Sequence, residues 1–421
     1  MRVLIISWLI STALRAFVCQ DYSFDKENEL RTLLFKNNSY NLFARPEPTV
    51  NVDVSLNIIN FNDLNIRDQQ LTTTGYFFMR WTDGRLFWDD LMPYNLDVPV
   101  IFTSEEYVWH PALIVENSIS DISVISDSGS PILVDSKGSL TWRPSGIFAT
   151  YCDVDIQLYP FDTQICSISL TSLAYSMKEV NLVFNPNPVD TEDLNENGEW
   201  IYNGYSTSRE LVTRESLTYS VLIFNFVLKR RPLYHVLNTF IPTISLAFLT
   251  CMVFKLPADS GEKIGYALTI VLSYAVYLTL VADSTPSSST TVSLLSIYLV
   301  TTLILGMLSV VLTIFVLDCH HADEVKPVPK LLQQFCRMNL ISKWCAKIKH
   351  REKVSDSVDT IPTTEENVDI SLTLDKLAGK EEVTWRDVAR TLDCLFLWLY
   401  FFIVFVGTSA LVITFAIAYH Q

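Results

Sequence analysis

The strongest constraint on this chain is a set of four long apolar runs confined to its second half, at residues 233–256, 264–282, 291–317 and 392–419. Each is long enough to cross about 30 Å of hydrocarbon at about 1.5 Å per helical residue. Inside a bilayer every backbone amide must be satisfied within the protein, so such runs fold as helices. Pro242 in the first run is compatible with this, because neighbouring helices can cover the carbonyl it leaves free. Composition agrees: 49% of the residues are apolar and only 18% are charged, against roughly 25% charged in soluble domains.

The first half follows a different period. Val50-Asn51-Val52-Asp53-Val54-Ser55-Leu56 and the stretch 219–227 alternate apolar and polar residues, the pattern of half-buried strands. A short helix is expected at 25–35. Asp83-Gly84, Ser128-Gly129, Lys137-Gly138 and Asn197-Gly198 read as turns. Many short strands over about 200 residues predict one β-sandwich. The fold class expected is therefore an extracellular all-β sandwich followed by a four-helix transmembrane bundle.

The first nineteen residues, with an early Arg2, an apolar stretch and small residues near their end, read as a secretory signal peptide; a short membrane anchor is the alternative. Lysine and arginine placement sets orientation. Residues 326–353 carry eight Lys/Arg and one acid, marking the cytoplasmic side. Both ends of the mature chain are then extracellular. The boundaries expected are signal peptide 1–19, sandwich 20–231, three spans within 232–317, cytoplasmic loop 318–390, and fourth span with a short tail at 391–421. Within the loop, 329–349 is basic and amphipathic and suits the inner leaflet. Residues 354–364 are polar and expected to be disordered. Residues 372–390 regain helical spacing and either run into the fourth span or belong to a wholly disordered loop.

The formal net charge is −15, and it is unevenly placed. Residues 20–231 hold 15 basic and 29 acidic side chains, while the rest of the chain is almost neutral. This excludes nucleic acid as a partner, since phosphate binding needs clustered Lys and Arg. Asn37 opens an Asn-Asn-Ser glycosylation triplet.

Among eight cysteines, Cys152 and Cys166 are the pair within the exported region, apart from Cys19 near the expected cleavage point. In an oxidising compartment they should form a disulfide. Cys251, Cys319, Cys336, Cys345 and Cys394 are expected to be free thiols, with no metal-ligand spacing among them. The enclosed segment, centred on Tyr159-Pro160-Phe161-Asp162, resembles the signature of the Cys-loop receptors, the pentameric ligand-gated ion channels, and most of all their nicotinic acetylcholine branch. Leu71-Thr72-Thr73, Trp81-Thr82-Asp83, Pro144-Ser145-Gly146-Ile147-Phe148 and Gly261-Glu262-Lys263 extend the resemblance from about residue 25 to 421, the middle of the cytoplasmic loop excepted. The resemblance implies a pentamer of identical or related chains around a central pore, a small-molecule agonist, and no cofactor.

Read on its residues, the second span places Glu262, Gly265, Thr269, Leu272, Val276, Leu280 and Asp283 on one helical face. Tyr266, Tyr274 and Tyr277 lie on the others. An acid beside a span needs water or a partner, so Glu262 and Asp283 either mark rings of carboxylate at the mouths of a pore or simply mark the helix ends. The resemblance favours the pore: acidic rings pass cations, and apolar rings at Leu272 and Val276 would gate by dewetting. Gly265 and Thr269 would leave room for partly hydrated ions. Lys263 is expected to point away from the lumen. Anion-selective relatives carry an inserted Pro-Ala before the basic residue, which Asp259-Ser260-Gly261-Glu262-Lys263 lacks. Monovalent cations are the expected cargo, with divalent cations left open.

At the agonist site the resemblance breaks down. Relatives hold a cationic amine in an aromatic box by cation–π contact. Here Glu116 stands where the family has Tyr, and Leu173 where it has Trp, while Tyr175 fits. The third segment lacks the adjacent cysteine pair of α-type subunits, and Tyr205 is its nearest aromatic. On the complementary face Tyr76 stands where Trp is usual, and Trp142 and Arg143 lie on a strand expected to face the site. Acetylcholine is thus not expected as a high-affinity agonist of a homomer. Glu116 is expected to meet a cationic ligand, or Arg143 across an interface, unless the site is vestigial.

Ahead of the first span, Arg230 matches the family's pre-membrane arginine, whose usual acid is replaced by Ile66, with Asp63, Asp68 and Asp162 as other candidates. A coupling role is expected for Arg230, Asp162, Tyr159, Pro160 and Phe161 against the linker carrying Pro286; an ordinary cationic flank is the alternative. Tyr159–Pro160 is a place where a cis peptide fits. An agonist-gated cation channel and a non-conducting subunit needing partners both remain open. An enzyme is set aside, since no nucleophile–base pair or metal cluster is in view.

Overall fold

The computed structural model describes residues 23–89, 98–258, 261–285, 292–322, 327–330, 332–333, 336 and 384–420. The expected signal peptide (1–19), Pro286, Cys345, most of 329–349 and 372–390, and all of 354–364 lie outside the described residues. The chain divides into two compact units, Met1–Val154 with Thr163–Lys229 and Asp155–Asp162 with Arg230–Gln421.

The first unit opens with helix α1 (Phe24–Arg31), continued by a wider turn of helix at Thr32–Asn37. Asn37 lies exposed on it. Eleven strands follow: β1 (Val50–Asn65), β2 (Gln70–Phe87), β3 (Val100–Thr103), β4 (Leu113–Val115), β5 (Ile132–Asp135), β6 (Lys137–Trp142), β7 (Ser145–Tyr151), β8 (Thr163–Ser172), β9 (Val180–Asp190), β10 (Trp200–Arg214) and β11 (Leu217–Arg230). They form two sheets, one ordered β3-β5-β6-β2-β1-β9 with β7 also on β2, and one ordered β10-β11-β8-β4.

The alternation read from the sequence is the alternation of burial. In β1, Val50, Val52, Val54 and Leu56 are buried while the residues between them are not. Phe77 of β2 meets Phe224 of β11 with ring centroids 6.3 Å apart, and Phe61 of β1 meets Phe226 at 5.5 Å. These contacts join the two sheets face to face, the aligned packing of a sandwich. Gly75 of β2 pairs with Ile58 of β1, and a Cβ there would sit 2.2 Å from the Asn57 carbonyl oxygen.

Asp83-Gly84 is not a turn. It lies inside β2, at a register irregularity opposite β6 between Thr82 and Phe87. The Asp83 carboxylate is buried and ion-paired with Arg85 at 2.7 Å. A bulge and a turn share the same residue chemistry, and only the partner strand separates them.

Among its described residues the second unit holds four helices long and apolar enough to cross a membrane: α2 (Leu233–Lys255), α3 (Lys263–Asp283), α4 (Leu294–His320) and α5, a span of Trp385–Tyr419. In α2 the segment Val236–Phe240 is a π-helix directly ahead of Pro242, an accommodation of the missing amide within the helix. Residues 385–390, expected to approach the fourth span, are already part of α5.

Rings and hydroxyls hold the bundle together. Phe254 packs on Tyr400 at 5.0 Å. Tyr400 donates to the Leu305 carbonyl at 3.1 Å, and Tyr298 and Thr408 share a hydrogen bond of 2.9 Å. Gly306 of α4 allows close approach, since a Cβ there would lie 3.3 Å from Val271 of α3.

Candidate functional site

Helix α3 is largely apolar on both of its faces. One face packs into the bundle: Ala267, Ile270, Tyr274 and Val281 are buried, and Tyr266 donates to the Leu249 carbonyl at 3.2 Å. The other face carries Glu262, Gly265, Thr269, Leu272, Val276, Leu280 and Asp283, all exposed in the single chain. Leu272 is 65% exposed, although it lies in the middle of an apolar helix. Lys263, next to Glu262, points the opposite way: it is 1% exposed and its Nζ reaches Asp393 of α5 at 2.6 Å. This ion pair fixes which side of the first turn of α3 carries Glu262.

The disulfide Cys152–Cys166 is formed, and the Tyr159–Pro160 peptide is cis. Within the helical unit, the loop tip is tightly engaged. Asp162 and Arg230 form a buried bidentate pair at 2.8 and 3.2 Å, and the Arg230 amide donates to the Asp162 carbonyl at 3.1 Å. The Arg230 guanidinium lies 5.2 Å from the Tyr159 ring centroid, and Tyr159 Oη and His235 Nδ1 are 2.9 Å apart. Phe161 packs on Phe415 of α5 at 5.1 Å, and the Gln157 carbonyl accepts from the Leu294 amide at 3.1 Å. Of the candidate acids for Arg230, Asp162 is in direct contact with it.

The sandwich residues expected at the ligand site are rearranged. Trp142 does not face outward: its side chain is 0% exposed and its ring lies 5.4 Å from that of His110 in the core. The strand alternates, so when Arg143 is exposed its neighbour must turn inward. Glu116 pairs with Arg214 of β10 in its own chain. Arg214 in turn lies 5.9 Å over the ring of Tyr219, an aromatic at the start of β11 that the sequence marks only as part of an alternating strand. Tyr205 is exposed on β10 and Leu173 is 59% exposed. Tyr175 is half-buried, with Arg45 at 6.0 Å from its ring centroid.

On the outer face of β2, Tyr76, Phe78 and Arg80 alternate with the buried Phe77 and Met79. The pairing of Met79 with Trp142 brings Arg143 beside Phe78. Both guanidinium groups settle on that ring, Arg80 at 5.2 Å and Arg143 at 5.4 Å from its centroid. The turn holding Arg143 is braced by Asp127, whose carboxylate accepts from the Ser145 amide and hydroxyl, both at 3.0 Å. The backbone amide of Ser145 above all holds the Asp127 carboxyl below the usual carboxylate range.

Residues 27–232 match the family model described as the neurotransmitter-gated ion-channel ligand binding domain, and residues 239–377 match the one described as its transmembrane region. The acetylcholine receptor subunit delta of Xenopus laevis is 32% identical over 320 residues, covering 71% of this chain and 61% of that protein. The human neuronal acetylcholine receptor subunit alpha-5 is 28% identical over 411 residues, covering 91% of this chain and 86% of its own length. The human subunit beta-3 is 29% identical over 462 residues, covering 98% and 96%. Matches that run through a β-sandwich, a disulfide loop and four apolar helices in this order describe a multi-pass membrane protein. The chain belongs to the neurotransmitter-gated ion channels, the ligand-gated family of Cys-loop type, and is similar to their nicotinic acetylcholine receptor subunits.

Proposed function

We propose that the chain is a subunit of a cation-selective channel opened by an agonist other than acetylcholine, assembled as a pentamer around a pore lined by α3. The observation that carries this reading is the exposed stripe on α3, which lies along an apolar helix with an acid at each end. Several copies around an axis would turn the stripe into rings. Glu262 would then select at the inner mouth and Asp283 at the outer, with Leu272 and Val276 closing the resting pore by dewetting. Thr269 and Gly265 would bound the narrow inner half, with Leu280 between gate and outer ring. Lys263 is kept out of this path by its pairing with Asp393, which supports net negative charge at the inner ring.

In this reading residues 20–231 form the extracellular domain, both ends of the mature chain are extracellular, and 318–390 is cytoplasmic. The acidic excess of the sandwich would concentrate cations at the outer entrance over a screening length of about 8 Å at physiological salt. The buried Arg230–Asp162 pair, with Tyr159, Pro160 and Phe161, would transmit agonist binding to α2, and Pro286 would stiffen the linker after α3. Asn37 would carry a glycan.

The test is electrical recording from cells expressing the chain with Leu272→Thr to loosen the gate. Standing or agonist-evoked current is expected, and Glu262→Ala should shift reversal potentials under ion substitution towards anions. No current despite surface delivery would sink the homomeric channel, and unchanged reversal potentials would remove Glu262 from the inner ring. A second reading, a subunit that conducts only beside related partners, is favoured by the pairing of Glu116 with Arg214 and by Leu173 in place of an aromatic. Co-expression restoring current would select it.

A further inference from the structure

We infer that His235 is a proton-binding site in the coupling apparatus. Neutral, it accepts the Tyr159 hydroxyl and holds the tip of the disulfide loop on α2; protonated, it lets that tip loosen. The proposal rests on the reading of the loop tip as the coupling element and deepens it by naming a positioning residue and a regulator, the extracellular proton.

His235 is half-buried in the first turn of α2, and its contact with Tyr159 lies within the helical unit. Its Nδ1 is 2.9 Å from Tyr159 Oη, and the two rings meet edge to face with centroids 5.2 Å apart. Tyr159 is 3% exposed, so its hydroxyl is placed by protein groups rather than by bulk water. In a neutral imidazole one nitrogen accepts and the other donates, whereas in imidazolium both donate. A phenol gives its proton more readily than it shares a lone pair drawn into the ring, so the neutral pair is O–H···N. Protonation takes that acceptor away. The bond must then reverse, and the phenol proton must turn to another acceptor. Histidine is the side chain whose charge changes between about pH 5 and 8, which brings this exchange into the physiological range.

A proton on His235 also changes the charge around the loop tip. The Arg230 guanidinium lies 5.2 Å from the same Tyr159 centroid, and the Asp162 carboxylate is bonded to it at 2.8 and 3.2 Å. On α2 itself the neighbour is the Tyr234 ring at 5.3 Å, and from α5 comes Tyr419, 6.1 Å from Phe161. An imidazolium would thus join one cation and three phenols, with the carboxylate of the set already engaged.

The helix beyond His235 is built to respond. Its next five residues, Val236–Phe240, are the π-helical segment, a form that recurs at functional sites. Phe240 packs on Phe415 of α5 at 5.5 Å, and Phe161 of the loop tip packs on the same ring at 5.1 Å. Loop tip and π-helix are therefore joined twice, through Tyr159 with His235 and through Phe415. Losing the first link leaves the apolar one, so a proton shifts the balance between coupled and uncoupled arrangements without dismantling the contact.

The experiment is amide hydrogen exchange, read by mass spectrometry, on the full-length protein purified as its assembled oligomer in nanodiscs. It compares about pH 7.5 with about pH 5.5, either side of the histidine range, after removal of the intrinsic pH dependence of exchange. The reporters are amides that border the contact: Tyr159 to the Ile156 carbonyl, Phe161 to Leu158, Arg230 to Asp162, Val236 to Pro232 and Leu294 to Gln157. In the parent their protection should fall about two- to tenfold at the lower pH, the effect of one hydrogen bond. His235→Phe and Tyr159→Phe keep the rings without the bond, so their protection should be the same at both pH values. His235→Gln, which forms hydrogen bonds without titrating, should keep parent-like protection at both. Size-exclusion chromatography confirms assembly, and if His235→Phe does not assemble, Tyr159→Phe carries the comparison. Parent protection indifferent to pH, or a pH response equally large in His235→Phe or His235→Gln, would overturn the proposal. Exchange needs no conduction, so a silent Leu272→Thr channel with pH-dependent protection sinks the channel reading alone. In a conducting one, current should fall at the lower pH and His235→Phe should remove the fall; robust current indifferent to pH sinks this proposal alone.

Discussion

Asp393→Asn removes one charge from the pair that pins the N-terminal end of α3. The side chains of Lys263 and Asp393 are 1% and 15% exposed and meet at 2.6 Å. Asparagine keeps the shape and can still accept a hydrogen bond, but it leaves the lysine charge uncompensated in a dry environment. Removing one partner of such a pair costs about 3–5 kcal/mol, whereas replacing both by apolar groups of similar volume is often neutral. Asp393→Asn and Lys263→Met are therefore each expected to destabilise the purified full-length protein, while Lys263→Met with Asp393→Leu recovers most of the loss. At about 2–4 °C per kcal/mol for a unit of this size, the single variants should lower the thermal midpoint by roughly 6–20 °C. The lysine also has a way to relieve its cost, which is to turn towards water. One residue is about 100° of helix, so the turn that exposes Lys263 carries Glu262 away from the exposed stripe. In a Leu272→Thr background, Asp393→Asn should then weaken cation selectivity, although residue 393 lies on a different helix from the stripe. Equal stability of single and double variants, with unaltered reversal potentials, would refute the pinning argument.

Three further outcomes follow from geometry. Asp162→Asn leaves Arg230 buried without its counter-charge and should lower the thermal midpoint to a similar extent, and a double-mutant cycle with Arg230→Gln should show coupling of about 0.5–3 kcal/mol. Cys152→Ser with Cys166→Ser opens a loop of sequence separation 14, and denaturant unfolding should register about 3 kcal/mol less stability. The Asp127 carboxyl titrates below its unfolded value, so its contribution is present above about pH 3.9, the unfolded carboxyl value, and fades as the pH falls through the lower folded one. Unfolding midpoints compared at pH 7 and pH 3 should therefore show a smaller acid-induced drop in Asp127→Asn than in the parent.

Much of the architecture was legible because its signals are short-range. Period-two alternation gives β1 and β11 whatever their partners, and the four apolar runs differ from α2 to α5 by a few residues at their ends. The fourth begins earlier than hydropathy suggests, because Trp385, Val388 and Ala389 are core-facing in a polar stretch where apolar content alone is too thin to mark a span. Asp83-Gly84 reads as a turn in the sequence because a strand irregularity leaves the same local trace. Trp142 was misplaced by one step of a strand, which is enough to move a side chain from solvent to core. The partners of Glu116, Phe78 and Lys263 lie 98, 65 and 130 positions away in the chain at Arg214, Arg143 and Asp393, and no local pattern announces such pairings.

The amino-acid sequence by itself determined the class of this protein: a disulfide-looped sandwich, four spans, and a second span with one acid-tipped stripe. It could do so because hydropathy, periodicity and cysteine placement act on neighbours a few residues apart. Only the tertiary structure decided how charge is distributed. It turned Lys263 inward to Asp393, gave Glu116 to Arg214, closed Arg230 on Asp162, and brought Arg80 and Arg143 together on one phenyl ring. A charge is settled by whatever the fold brings within a few ångströms of it, and that neighbour is seldom near it in the chain.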